Sequence, residues 1–156
     1  MFDPMVIAAT CDNPLAAVLK KELAEIPFLK QIKICTESFA MDREDVRQSL
    51  TVINAVTEEV KQGRNYIIFP EGTRHKEGVM EDLESGIALI ALRSKATLLP
   101  VYLTDKPRLF RRVHAYCGQC IPVSHLARQG VNKQTCDKLL ENITARYREL
   151  VAKHQN

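Results

Sequence analysis

The stretch YIIFPEGTR (residues 66–74) joins four apolar residues to a short polar segment. A continuous apolar run of this length, bounded by Asn65 and Pro70, is typical of a buried strand in a parallel sheet. In sheets of this kind, ligands bind beyond the carboxyl ends of the strands. We therefore expect the residues that follow Phe69 to belong to a functional site.

Helical and strand patterns alternate on both sides of this stretch. Together they predict an α/β fold with a mostly parallel central sheet flanked by helices on both faces, in one domain over residues 1–156. The predicted elements are helices over 14–27 and 42–63, a strand over 66–69, a helix over 83–94, strands over 97–103 and 113–116, and a closing amphipathic helix with Leu139, Leu140, Ile143, Tyr147, Leu150 and Val151. Pro100 predicts that its strand lies at the edge or end of a sheet.

Residues that favour helix ends mark the first two helices. Asp12 and Asn13 are candidate N-caps of the first helix, and Pro14 suits its first position. Leucine then recurs at every fourth position, at Leu15, Leu19 and Leu23. Asp42 is expected to cap the second helix, and Gly63 lies where a residue with left-handed backbone conformation would end it.

The composition is that of a globular domain. Apolar residues make up 46% and charged residues 26% of the chain, which argues against disorder. The formal net charge is +3, with acids and bases mixed throughout, so we expect no nucleic-acid partner. The five cysteines form no obvious disulfide framework and indicate a reducing compartment.

The polar segment after Phe69 has the parts of a phosphate-binding loop. Pro70 stiffens the exit from the strand, and Gly72 allows the backbone to approach a ligand closely. Thr73 supplies a hydroxyl, Arg74 a planar guanidinium suited to phosphate, and Glu71 a carboxylate that can hold either the guanidinium or a ligand hydroxyl. The alternative is a plain polar turn with a surface ion pair.

FPEGTR after an apolar strand resembles the third signature block of the phospholipid and glycerol acyltransferases, typified by the 1-acyl-sn-glycerol-3-phosphate acyltransferases. Other segments resemble further blocks of that family in order and spacing, over about residues 1 to 125. These segments are Lys21-Glu22-Leu23 with Ile26-Pro27 (K-E-L-x-x-x-P), Met41-Asp42-Arg43 (a strand-ending arginine block), Leu99-Pro100-Val101 (a V-P-V block) and Gly118.

The resemblance implies a three-layer acyltransferase domain. Such a domain transfers an acyl chain from acyl-CoA or acyl carrier protein to the glycerol hydroxyl of lysophosphatidate, with no metal or other cofactor. Because the acceptor and product are lipids, the resemblance also implies contact with a membrane surface on its cytoplasmic side. No apolar run approaches the ~18 residues of a spanning helix, so we expect peripheral attachment.

The family's first block, N-H-x-x-x-x-D, implies a histidine general base oriented by an aspartate. Asp3 stands in the aspartate position, and counting back from it places the histidine three residues before Met1. Either Met1 is an internal methionine of a longer protein whose N-terminal portion is missing here, or the gene is truncated and its product inactive. We expect the longer protein, because the other blocks persist. Asp3 could otherwise be an ordinary terminal acid.

The resemblance assigns the acceptor's phosphate to cationic residues and to the FPEGTR loop. The residues concerned are Lys21, Arg43, Glu71, Gly72, Thr73 and Arg74. Lys21 and Arg43 also have structural interpretations, a solvated helix face and a surface ion pair. Glu84 stands where the family commonly has a lysine, which reverses a charge near the expected phosphate site and leaves the identity of the substrate open.

The remaining histidines and cysteines show no catalytic or metal-binding pattern. We interpret His75 as a rim residue beside Arg74, and His114, His125 and His154 as surface residues. Cys117 and Cys120 form a CxxC motif that follows a predicted strand, and zinc would need a second ligand pair. Incidental cysteines are the favoured interpretation, with a redox or metal role as the alternative.

A non-catalytic protein that binds lipid phosphates is the alternative function. It would keep Glu71, Gly72 and Arg74 for the phosphate and would lack the general base.

A comparison of chain lengths tests whether the base lies upstream. Loss of a general base typically lowers a rate by about 10²- to 10⁴-fold, so the 156-residue chain is expected to acylate lysophosphatidate that much more slowly than an N-terminally extended form. Alanine in place of the upstream histidine is the control and should bring the extended form down to the same rate. Robust turnover by the shorter chain would contradict the prediction.

Overall fold

The computed structural model describes Ile7 and residues 14–42, 44–69, 85–104 and 113–154. The helices and strands in these ranges are β1 (Leu15–Lys20), α1 (Lys21–Ala24), α2 (Pro27–Cys35), β2 (Phe39–Met41), α3 (Val46–Lys61), β3 (Asn65–Ile67), α4 (Ser85–Ser94), β4 (Val101–Leu103), β5 (Ala115–Cys117), α5 (Ser124–Arg128) and α6 (Lys133–His154).

A three-stranded parallel sheet with the order β2-β1-β3 organises the N-terminal half. Its central strand β1 is buried on both faces, since Ala16 is 1% exposed on one face and Ala17 and Leu19 are each 8% exposed on the other. Strands β2 and β3 lie on opposite sides of β1, so the connection from β1 to β2 and the connection from β2 to β3 run in opposite directions across the sheet. Right-handed crossovers therefore place their helices on opposite faces of the sheet. The predicted α/β fold with a mostly parallel sheet is confirmed.

The helix predicted over residues 14–27 is wrong. Residues Leu15–Lys20 form the central strand, followed by the short helices α1 and α2. The four-residue spacing of the leucines is coincidental, because a strand buried on both faces has no polar side and its apolar run carries no period. Pro14 precedes the strand, where its missing N–H removes no bond from the sheet. Asp12 and Asn13 lie outside the described residues.

Helix α3 confirms the second predicted helix but begins at a different cap. Asp45 accepts hydrogen bonds from the backbone N–H groups of Arg47 and Gln48 at 2.9 and 3.0 Å, so the N-cap is Asp45, and the prediction of Asp42 is wrong. Gly63 has a φ of +92° just after the helix, as predicted for the residue that ends it.

The other predicted elements are confirmed with shifted ends. Strand β3 begins and ends earlier than predicted, and the described part of the next helix is α4. Only the last three residues of the strand predicted over 97–103 form β4, which is antiparallel to β5. Pro100 lies just before β4, at a strand end as predicted, and an isolated bridge joins Leu98 to Ile121. The closing helix is α6, whereas α2 and α5 were not predicted.

Two apolar clusters hold the helices in place. One joins α3 to the sheet through residues of all three strands. The other joins α4 to α6 through Leu92, Leu139 and Ile143, with exposures of 1%, 0% and 6%. Helix α4 contributes to both clusters. Within the described residues, no helix is both long enough and apolar enough to cross a membrane.

Two valines on α3 give a matched test of this packing. Val56 is fully buried whereas Val46 is 69% exposed. Val56→Ala removes buried methyl groups and leaves a cavity, so it should lower the free energy of unfolding by about 2 kcal/mol. Val46→Ala should change it by less than about 0.5 kcal/mol. Urea denaturation of both variants provides the measurement, and equal losses would contradict the assigned faces of α3.

Candidate functional site

The carboxyl ends of the three parallel strands lie at one edge of the sheet, which we call the carboxyl edge. Strand β1 ends at Lys20, β2 at Met41 and β3 at Ile67. Lys20 is the register partner of Met41, so these two strands end at the same level. Loops at this edge are where open α/β sheets bind ligands.

The first residues after β1 and β2 form an ion pair at the carboxyl edge. Lys21 Nζ lies 3.0 Å from Asp42 Oδ2, and the side chains are 61% and 25% exposed. Because the two strands end at the same level, Lys21 after β1 and Asp42 after β2 are neighbours, and their side chains can meet. The structure therefore places Lys21 at the predicted edge, and its ammonium is paired there with a carboxylate.

Asp42 is held by several hydrogen bonds besides the ion pair. Its N–H donates to Gln48 Oε1 at 2.8 Å, and its carbonyl accepts from Ser49 Oγ at 2.7 Å. Its Oδ1 accepts from the N–H of Glu44 at 3.1 Å. Gln48 also donates through Nε2 to the carbonyl of Ala40 in β2 at 2.9 Å. The first two turns of α3 thus fix the end of β2.

The ion pair shifts the pKa values of both partners toward their charged forms. The hydrogen bond from Lys21 is the largest cause of the lowered pKa of Asp42, followed by the bond from the Glu44 N–H. The hydrogen bond to Asp42 is the largest cause of the raised pKa of Lys21. At neutral pH the site therefore holds a carboxylate and an ammonium.

Most of the predicted site residues lie outside the described residues. These are Asp3, Arg43, Glu71, Gly72, Thr73 and Arg74. Phe69, the first residue of FPEGTR, is described and half-buried two residues beyond the end of β3. The roles predicted for the six residues stay predictions.

Asp42 is the residue at this edge that sequence reasoning assigned wrongly. It was expected to cap a helix, whereas it pairs with Lys21. A signal was present, because Asp42 is a polar residue directly after a short apolar run. Finding its partner required the register of β1 against β2, and β1 was predicted as a helix.

The described histidines and the two cysteines of the CxxC motif lie in the C-terminal half. His154 stacks on Tyr116 with ring centroids 3.8 Å apart, while His114 and His125 are exposed. Cys117 and Cys120 are exposed thiols without a disulfide. The described ranges contain no group of three His, Cys, Asp or Glu side chains that could hold a metal ion. His75 lies outside them.

A groove of about 550 Å³ lies at the opposite edge of the sheet, where Pro14 precedes β1 and Asn65 begins β3. Its cation, Arg64, is already engaged at 2.7 and 3.0 Å by Glu37 and Glu59. We interpret this groove as the surface of a structural ion network, because it lies at the amino ends of the strands and its guanidinium is paired.

A family model described as Acyltransferase matches residues 1–104. The chain belongs to the acyltransferase family. This confirms the family inferred from FPEGTR and its neighbouring segments.

Relatives of this chain include two bacterial proteins. The chain is 31% identical over 111 residues to a 1-acyl-sn-glycerol-3-phosphate acyltransferase of Helicobacter pylori, a match that covers 70% of the chain and 47% of the relative. It is 28% identical over 109 residues to the protein of the same name from Borreliella burgdorferi, and that match covers 70% of the chain and 44% of the relative. The chain thus matches less than half the length of these relatives.

A solved structure supports the fold of this chain. The crystal structure of the 1-acyl-sn-glycerophosphate (LPA) acyltransferase of Thermotoga maritima superposes with a TM-score of 0.59 at 19% identity. The match covers 88% of this chain and 57% of the other. At this identity the likeness shows the fold.

The pKa of Asp42 tests the ion pair between Asp42 and Lys21. The carboxylate loses its charge, and with it the pair, as the pH falls through a pKa below 3.8. Lys21→Met removes the largest cause of that shift, so the pKa of Asp42 should rise toward 3.8 and stay below it, because the Glu44 N–H still donates. Carbon-13 NMR titration of the carboxyl group measures the change. An unchanged pKa would contradict the pairing.

Proposed function

We propose that the protein transfers an acyl group from acyl-CoA or acyl carrier protein to the glycerol hydroxyl of lysophosphatidate. The observation that carries the proposal is the place of Lys21, whose ammonium lies at the carboxyl edge from which FPEGTR continues. Family membership and the names of the relatives support the reaction and the acceptor.

The negative charge of the acceptor's phosphate matches the cationic side chains at the carboxyl edge. Lys21 offers an exposed ammonium, and Arg43 and Arg74 are the further cations that the family blocks assign to the phosphate. A phosphate held at one edge of the sheet would orient the glycerol hydroxyl toward the reaction centre. Arg74 can contact two phosphate oxygens at once, whereas Lys21 acts as a point charge.

The reaction needs a base and a thioester but no metal or other cofactor. The hydroxyl oxygen attacks the thioester carbonyl, a new C–O bond forms, and the C–S bond breaks to release the carrier's thiol. The hydroxyl proton passes to a base and then to the departing sulfur. By resemblance to the family, that base is the histidine of the block that ends at Asp3, with Asp3 orienting the imidazole.

We further propose that the protein works at the cytoplasmic surface of a membrane, where its lipid acceptor resides. Exposed apolar side chains on the first turns of α3 support this position. Val46 is 69% and Leu50 44% exposed, and they follow Asp42 in sequence by four and eight residues. Apolar side chains beside cationic ones suit the boundary between lipid headgroups and acyl chains.

A comparison of two acceptors tests the proposed function. The N-terminally extended form should acylate lysophosphatidate, and monoacylglycerol, which lacks the phosphate, should be a poor acceptor. Arg74→Ala removes a charged hydrogen-bond donor and should lower kcat/KM for lysophosphatidate about 10-fold or more. Radiolabelled acyl-CoA and acyl carrier protein, each supplied in turn, identify the donor.

Arg128→Ala is the matched control, because Arg128 is exposed at the end of α5, and it should leave the rate unchanged. Equal rates with both acceptors would overturn the proposed acceptor. Tight binding of lysophosphatidate without turnover by the extended form would overturn the enzymatic function and favour a lipid-phosphate-binding protein.

A further inference from the structure

Of the two residues in the ion pair at the carboxyl edge, Asp42 is fixed by more hydrogen bonds than Lys21. Asp42 makes hydrogen bonds with Glu44, Gln48 and Ser49 that do not involve Lys21. Lys21 begins a four-residue helix and is 61% exposed. Among the described residues, its hydrogen-bonding partner is Asp42. Asp42 is therefore the fixed member, and Lys21 is the member whose position depends on the pair.

We propose that Asp42 is a positioning residue that holds the Lys21 ammonium in place for the phosphate of the acceptor. The inference rests on the proposed function, in which Lys21 binds that phosphate. An unpaired lysine side chain samples many rotamers, and fixing it at the moment of binding costs conformational entropy. A lysine already held by a carboxylate has lost much of that freedom before the ligand arrives.

The pair leaves Lys21 able to bind a phosphate. An ammonium has three N–H donors, and Asp42 Oδ2 takes one of them at 3.0 Å. The carboxylate also accepts a hydrogen bond from the N–H of Glu44, just before α3. Lys21 is therefore not the only group that stabilises its negative charge. Two donors and a protonated ammonium remain for phosphate oxygens.

Hydrogen bonds from α3 also fix the backbone at Asp42. Gln48 bonds to the residue before the end of β2 and to the residue after it, through Ala40 and Asp42. Ser49 adds a bond to the carbonyl of Asp42, the carbonyl that leads into Arg43. Asp42 thus connects the positioned lysine to the proposed cation that follows it in sequence.

Isothermal titration of the 156-residue chain with a hexanoyl lysophosphatidate, below its micelle concentration, tests the inference without requiring turnover. Lys21→Met should weaken binding about 10-fold, through loss of a charged donor. Asp42→Asn keeps an oxygen for the Glu44 N–H but removes the charge that holds Lys21. It should weaken binding about 3- to 5-fold, and Asp42→Glu should restore part of the loss.

The double variant separates positioning from a structural role. If Asp42 acts through Lys21, adding Asp42→Asn to Lys21→Met should produce no further loss of affinity. Full additivity of the two losses would overturn the inference. Glu58→Gln is the matched control, because Glu58 forms a comparable exposed ion pair with Lys61 at 2.7 Å near the other end of α3, and it should leave binding unchanged.

The outcomes distinguish this inference from the function on which it rests. No binding by the wild-type chain would overturn the proposed acceptor and this inference together. Binding by the wild type with unchanged affinity in Asp42→Asn would overturn the inference alone. Should Asp42→Asn fail to fold, the nitrogen-15 signal of the wild-type Lys21 ammonium provides the second measurement. Before any lipid is added, its ammonium protons should exchange slowly with water because Asp42 holds them, and exchange as fast as that of a freely exposed lysine would overturn the inference.

Discussion

The parallel pairing of β1 with a strand on each side is the constraint on which the rest of the described structure depends. A strand with two neighbours can direct most of its backbone N–H and C=O groups to them, and in β1 the N–H of Ala17 donates to Ser38 Oγ at 2.8 Å, so the strand can be buried on both faces with its polar groups satisfied. Ala16 and Ala17, at 1% and 8% exposure, have small side chains that let the layers on both faces approach closely. Because the pairing is parallel, the carboxyl ends of all three strands point to one edge of the sheet, with β1 and β2 ending level and β3 ending level with Ala17.

Burial of β1 forces polar residues to gather at that edge. The strand is apolar from Leu15 to Leu19, and its charges appear at Lys20 and Lys21, where the chain leaves the sheet. Strand β2 behaves similarly, with Asp42 directly after Met41. Register then decides which charges meet, because Lys20 is level with Met41 and the next residue of each chain forms the ion pair. The electrostatics of the edge follow from the alignment of the strands.

The same physics explains what the sequence could and could not predict. The strand before FPEGTR, helix α3 and its end at Gly63 could be predicted from local signals, because each depends on residues close together in the chain. Strand β1 could not, since a run buried on both faces lacks the alternation that identifies a strand. The partner of Lys21 could not either, because Asp42 is 21 residues away and meets it through β1. The FPEGTR loop was located by motif, and its internal geometry stays a prediction.

Helix α3 connects the edge to the remainder of the molecule. Its first two turns hold the end of β2 through Gln48 and Ser49, and its middle packs against Ile68 just after β3. Farther on, Gly86 at the start of α4 lies so close to α3 that a Cβ there would meet Ile53 Cδ1 at 3.3 Å. The segment that carries FPEGTR leaves from β3 and rejoins the described chain at α4, so both of its attachment points rest on α3. Helix α3 therefore fixes the points at which the segments carrying Arg43 and FPEGTR leave the sheet. It does so through hydrogen bonds at its start and apolar contacts along its length.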